Sequence, residues 1–247
     1  MPPTRASTVP VSSPSLLLLG AEPWRAALEF IGMKRMDKQA LPSGDGHAVV
    51  IFPGLATDHQ AVAPLKNFCK DLGYHALDWG RGWNTGPQGN VDRWLNGLAE
   101  EIDDMTRSHD APISLVGWSL GGIYAREVAK RLPTRARQVI TIGTPFAGSS
   151  EHTRARLVYR LLNGKKPPSS KALAQRLAAA PKVPTTSIFS RTDGVVAWQA
   201  CIQAGGERHC ENIEVTGSHC GLAWNSEVYR VVADRLRQAP GQWQPMA

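Results

Sequence analysis

At 247 residues, with 42% hydrophobic and 20% charged residues, the chain has an ordinary globular composition and can bury a substantial core without disulfides. Its formal charge of +7 raises the question of nucleic acid. Zinc-finger spacing, an RNA-binding aromatic signature and a basic helix running into heptads are all missing, so no specific nucleic-acid partner is expected.

Residues 1–13, rich in Pro, Ser and Thr, read as a disordered leader, and residues 14–247 as one domain. The apolar run 16–19 is far short of the ~20 residues a membrane-spanning helix needs. With only Arg5 before it and no small-residue cleavage site after it, it is also a poor signal peptide. The expected localisation is therefore cytoplasmic. Together with Trp24, Leu28 and Phe30 the run predicts an N-terminal helix packed on the core. A surface anchor is the alternative, and Pro23 interrupts it.

From there short β-like runs alternate with helical spacings, the pattern of βαβ units and a parallel sheet. Residues 48–52 form an apolar strand stopped by Pro53 and Gly54. Leu65, Phe68, Cys69 and Leu72 have helical spacing, with Gly73 where that helix should end. A short strand follows at 74–78, then a Gly-rich loop at 80–89, then a helix marked by Trp94, Leu95, Leu98, Ile102 and Met105. Residues 113–116 are the next buried strand, and a helix runs through Ile123, Ala125, Val128, Ala129 and Leu132 to Pro133. Strands are expected at 138–142, 185–189 and 212–215, with a closing helix at 223–236. The stretch 150–184 reads as two helices around the break at Pro167 and Pro168.

Gly117-Trp118-Ser119-Leu120-Gly121 lies between the strand at 113–116 and the helix after it. A serine hydroxyl needs a base to take its proton and donors to hold the developing oxyanion. In a strand-to-helix turn, glycines two residues either side of the serine allow the close backbone approach that a side chain would block. The turn lifts Ser119 to the C-terminal edge of the sheet. It also leaves the Leu120 amide, at the start of the helix, pointing to where an oxyanion would form.

At this point the chain resembles the α/β-hydrolase superfamily, in particular its bacterial esterase and lipase-like members. The resemblance spans roughly residues 49–236. It rests also on Phe52-Pro53-Gly54-Leu55, on residues 141–148, and on a late Asp and His. It implies an α/β fold with a reduced, parallel sheet of about six strands, since no pair of strands is evident before Ala48. It also implies that 150–184 is a helical lid insertion, and that the triad runs in the order Ser, acid, His.

Asp193, directly after the strand at 185–189, is the leading acid, against a plain Thr-Asp-Gly turn. Five histidines, His47, His59, His75, His109 and His152, precede Asp193, which leaves His209 and His219. His209 comes before the last strand and His219 after it, where a loop can present imidazole to Ser119; His219 is preferred. The resemblance maps a second oxyanion donor onto the Leu55 amide, with Pro53 where relatives commonly carry a bracing His. Trp118 and Trp224 are candidates for the acyl pocket, core packing being the alternative.

No cofactor is expected. A metal site from Cys201, His209, Cys210 and Cys220 lacks Cys-x-x-Cys spacing, and Cys201 with Cys210 could instead form a disulfide. Arg154, Arg156, Arg160, Lys165, Lys166, Lys171, Arg176 and Lys182 make 150–184 basic. That would suit peripheral contact with an anionic membrane surface, with a solvated helix pair as the plain alternative.

The expected activity is hydrolysis of a small-molecule or lipid carboxylic ester through an acyl-enzyme on Ser119. An acyltransferase or thioesterase with the same triad is the first alternative. A catalytically silent hydrolase-fold binding protein is the second.

Overall fold

Strands β1 (Ala48–Phe52), β3 (Ile113–Trp118), β4 (Ala136–Ile142) and β5 (Thr185–Phe189) are buried at every position. Continuous burial marks the central strands of a parallel sheet covered on both faces, which explains why their sequences lack polar alternation. At the edges lie β2 (His75–Asp78) and β6 (Cys210–Glu214), where polar residues reappear. The computed structural model describes residues 12–147 and 170–246. It orders the six strands β2-β1-β3-β4-β5-β6, with every neighbouring pair parallel.

The two-residue period of the strands divides the core. Ala48, Val50, Phe52, Ile113, Leu115 and Val139 face helices α3 (Val91–Met105) and α4 (Leu120–Arg131). Val49, Ile51, Val116, Ile140 and Ile142 face α2 (Ala63–Asp71) and α6 (Ser226–Leu236). The closing helix starts at Ser226 rather than at 223. Gly221–Trp224 form a short 3₁₀ turn before it, and the Asn225 side chain caps it by accepting from the Glu227 and Val228 amides at 2.8 and 3.3 Å.

The expected N-terminal helix is α1 (Leu16–Lys34), which continues through Pro23. It turns both apolar and charged residues to the protein, since Ala26 and Met33 are buried and Phe30 packs against the core. Glu22 is buried, and Arg25 and Glu29 are partly buried, while Leu17, Trp24, Leu28 and Ile31 are exposed. Among the described residues no helix is long and apolar enough to cross a membrane.

Of the two helices expected in 150–184, the second is α5 (Lys171–Ala178), capped by the Ser170 hydroxyl. The first helix, the break at Pro167 and Pro168, Arg154, Arg156, Arg160, Lys165 and Lys166 lie outside the described residues, as do residues 1–11 of the leader.

Candidate active site

The turn between β3 and α4 is built on missing side chains. A Cβ on Gly117 would fall 2.3 Å from the Gly121 carbonyl oxygen, and one on Gly121 would fall 2.3 Å from that of Phe52. A third glycine, Gly122, has the Thr144 hydroxyl 2.0 Å from where its Cβ would be. Ser119 itself sits at φ 54 and ψ −124, a backbone region that L-residues rarely adopt. Its amide donates to the Ile142 carbonyl at 2.8 Å, which ties the turn to β4.

Two loops from the other half of the sheet complete the constellation. The loop after β5 carries Asp193 and the loop after β6 carries His219. His219 Nε2 lies 3.0 Å from Ser119 Oγ, and its Nδ1 lies 2.7 Å from Asp193 Oδ2. The second oxygen of Asp193 accepts from the Val195 and Val196 amides at 2.8 and 2.6 Å, so the carboxylate is fixed at both ends. Ser190 Oγ donates to the Gly217 carbonyl at 2.8 Å and stitches the two loops together. Gly143, at φ 55, runs past the pair, and a Cβ there would lie 3.4 Å from His219 Nδ1 and 3.5 Å from Asp193 Oδ2.

Ser119, Asp193 and His219 are all buried. Burial by itself would lower the pKa of His219. The charge and hydrogen bond of Asp193, joined by the charge of Glu22, outweigh it and raise the imidazole above its ordinary value.

Leu120 opens α4 directly after Ser119. Leu55 follows Gly54, whose absent Cβ would lie 3.0 Å from the Trp118 ring and 3.3 Å from Ser119 Cβ, so this loop passes against Ser119. With Pro53 in place of a bracing histidine, the bracing comes from Asn84. Its side chain donates to the Pro53 carbonyl at 2.9 Å, and its backbone exchanges hydrogen bonds with Ala56 and Thr57 at 2.8 and 2.7 Å. The Asn84 side-chain oxygen in turn accepts from the Gly86 amide and the Tyr124 hydroxyl. Sequence reasoning treated 80–89 as a loop by composition and missed this residue, since nothing local distinguishes an Asn in a turn from an Asn that braces one.

Both tryptophans proposed for the acyl pocket are engaged with protein. Trp118 donates from Nε1 to the His219 carbonyl at 3.0 Å, and Trp224 donates to the Ala26 carbonyl of α1 at 2.9 Å. All four cysteines are free thiols, so Cys201 and Cys210 are not bridged. Cys201 is buried as the last residue of the 3₁₀ turn Trp198–Cys201, and Cys210 lies at the start of β6, with burial pushing its thiol up to about 11. His209 turns its Nε2 to the Pro181 carbonyl, 3.0 Å away. Arg176, one of the basic residues of 150–184, pairs with Asp92.

A second chain of the same residue types lies elsewhere. His47 Nε2 is 2.7 Å from Ser114 Oγ, and its Nδ1 contacts the Asp45 carboxylate. Here Arg137 intrudes, with Nη1 2.7 Å from Asp45 Oδ2 and 3.0 Å from His47 Nδ1. Burial, reinforced by the Arg137 charge, holds His47 below its ordinary pKa despite its bond to Asp45. Ser114 is fully buried within β3, next to the register shift between Ile113 and Ser114, and also accepts from Gln138 Nε2 at 3.2 Å.

A model of the alpha/beta hydrolase family matches residues 49–243. The chain belongs to this family. Its likeness to individual members is looser. It is 26% identical over 102 residues to a pimeloyl-[acyl-carrier protein] methyl ester esterase of Shewanella woodyi, a match covering 41% of this chain and 37% of the relative. Among solved structures, Aspergillus fumigatus lipase B superposes with a TM-score of 0.62 at 16% identity, over 82% of this chain and 56% of that one. The metagenome-derived lipolytic enzymes LipS and LipT give a TM-score of 0.57 at 16% identity, over 79% and 93%. This chain thus spans little more than a third of the esterase it matches and just over half of the lipase. At these identities the structural likenesses establish the fold, a parallel six-stranded sheet flanked by helices.

Proposed function

We propose that this hydrolase-family protein cleaves carboxylic esters through an acyl-enzyme on Ser119, with His219 as base and Asp193 as its orienting acid. The observation that carries the reading is the hydrogen-bonded chain from Ser119 Oγ through His219 to Asp193, with contacts of 3.0 and 2.7 Å. It is seated on a strained turn at the C-terminal ends of the strands.

In this mechanism the neutral imidazole takes the Ser119 proton on Nε2 as the oxygen attacks the ester carbonyl. Asp193 accepts from Nδ1–H, which fixes the tautomer and steadies the imidazolium. The amides of Leu120 and Leu55 receive the oxyanion. The imidazolium then gives its proton to the leaving alcohol. In the second half a water, deprotonated by His219, attacks the acyl-enzyme, and the acid departs from a regenerated Ser119. Esterase and lipolytic activities among its relatives favour an oxygen ester as substrate.

Labelling with a fluorophosphonate, followed by peptide mapping, tests the site. The expected result is a single adduct on Ser119, and a folded but unlabelled protein would overturn the reading. p-Nitrophenyl esters of graded chain length, run beside acyl-thioesters, then test the bond type. Faster turnover of the thioesters would transfer the assignment to a thioesterase.

A further inference from the structure

Helix α1 meets the catalytic loops through charged side chains. The Glu22 carboxylate is buried and accepts from three backbone amides. Oε1 takes Gly194 and His219 at 2.8 and 2.9 Å, and Oε2 takes Cys220 at 3.0 Å. One side chain therefore holds the residue after the acid, the base itself and the residue after the base. Around it, Arg25 donates to the Thr192 carbonyl and hydroxyl at 2.6 and 2.7 Å, and Glu29 accepts from the Ser218 amide at 2.8 Å.

The contact is close at the backbone level as well. A Cβ on Gly194 would lie 2.6 Å from the Leu18 carbonyl carbon, and one on Gly221 would lie 1.9 Å from Glu29 Oε2. Removing a carboxylate from water costs several kcal/mol, so a neutral or apolar side chain would serve simple helix docking at less expense. A buried anion directly behind the base has a second consequence. It stabilises the imidazolium that forms when Ser119 loses its proton.

We propose that Glu22 is a positioning residue of this active site, clasping the acid and base loops together and supplying a second fixed negative charge behind His219. The proposal rests on the Ser119–His219–Asp193 reading. The ionisable groups around the base are Asp193 and Arg191 on the acid loop, Glu22, Arg25 and Glu29 on α1, Cys220 on its own loop, and Glu227 at the start of α6. Arg25 is committed to Thr192, Arg191 to Glu214 and Glu227 to the Thr216 amide. The charges of Asp193 and Glu22 act directly on His219 and favour its protonated form.

The test uses the full chain as wild type, Glu22→Gln and Glu22→Asp, with p-nitrophenyl butyrate as substrate and a fluorophosphonate to count active sites. For Glu22→Gln, kcat per labelled site should fall about 10- to 100-fold, the scale of misplaced catalytic groups, with KM little changed. The acid limb of its kcat/KM profile should move to lower pH, because the neutral base is no longer held back by the Glu22 charge. Glu22→Asp keeps the charge but shortens the reach, so it should lose kcat while its acid limb stays near that of wild type.

The limb midpoint does not depend on how much protein is folded. A lowered melting temperature with unchanged kcat per site and an unchanged limb would make the role purely structural and overturn the proposal. Should Glu22→Gln not fold, a wild-type kcat in Glu22→Asp overturns it instead. A labelled wild type with unaffected variants defeats this proposal alone, whereas an unlabelled wild type defeats the triad reading and this proposal together.

Discussion

Two Ser–His–Asp chains occupy this molecule, one through Ser119, His219 and Asp193, the other through Ser114, His47 and Asp45. Their serine–histidine distances, 3.0 and 2.7 Å, are nearly alike. What separates them is everything around the contact. Ser119 stands on a turn at φ 54, at the end of β3, and its next residue begins a helix. Ser114 lies within strand β3, in the middle of the sheet, with no exposed surface. At His219 the charges of Asp193 and Glu22 outweigh burial and favour the imidazolium, whereas at His47 burial, joined by the Arg137 charge, outweighs Asp45 and disfavours it. A hydrogen-bonded triad is thus not yet a nucleophile. The serine must be reachable, and the imidazolium must be a state the surroundings can stabilise.

Substitutions sharpen that contrast, and the largest effect should come from the nucleophile. Ser119→Ala is expected to lower kcat by about 10⁶-fold and to abolish fluorophosphonate labelling. Ser114→Ala should leave labelling in place, and the opposite pattern would exchange the roles of the two chains. Asp193→Asn is next, at about 10⁴-fold in kcat. Its amide can still accept from the Val195 and Val196 N–H groups while presenting the wrong partner to His219 Nδ1. Circular dichroism should therefore be unchanged while turnover collapses.

The pH profile separates the chains by sign. In the proposed mechanism His219 acts as the neutral imidazole, and its pKa is raised, so kcat/KM should fall as pH drops through a midpoint above the ordinary histidine value of about 6.5. A midpoint below that value would mean that Asp193 and Glu22 do not dominate its surroundings. For His47→Ala the expected loss is in stability rather than rate. It leaves Ser114 and Asp45 short of a partner, at about 1–3 kcal/mol, or roughly 2–4 °C of melting temperature per kcal/mol for a chain of this size. Trp118→Phe should have the smallest effect. It removes one donor to the His219 carbonyl, worth about 1 kcal/mol, readable as a shift of a few degrees with a small loss of kcat.

Much of this was legible in the residue order. The glycines around Ser119 signal a turn in which no Cβ fits, and the distances at Gly117 and Gly121 give the reason. Strand β5 occupies the expected residues 185–189, because β-branched Thr185, Thr186 and Ile188 with Phe189 favour a strand between Pro184 and Ser190. His219 was reached by its place after the last strand, and the structure sets it 3.0 Å from Ser119. Helix α1 was foreseen as a helix packed on the core, and Ala26, Met33 and Phe30 pack there, but its charged contacts were not. An amphipathic rule turns charged residues outward, whereas here Glu22, Arg25 and Glu29 also face the protein because the loops they meet offer backbone amides and carbonyls. Pro23 was read as an interruption. The helix passes through it, anchored on either side by those contacts.

The sequence by itself determined the parallel sheet, the strained turn and the identity of its serine, since each follows from local spacing and from steric limits within a few residues. The tertiary structure alone decided that Ser119 and Ser114 each meet a histidine, that Asn84 braces the loop beside Ser119, and that Glu22 clasps the loops bearing Asp193 and His219. Glu22 joins groups 172 to 198 residues away in the chain. Such contacts leave no periodicity or local motif, because they depend on where the folded backbone exposes its amides and not on neighbouring side chains.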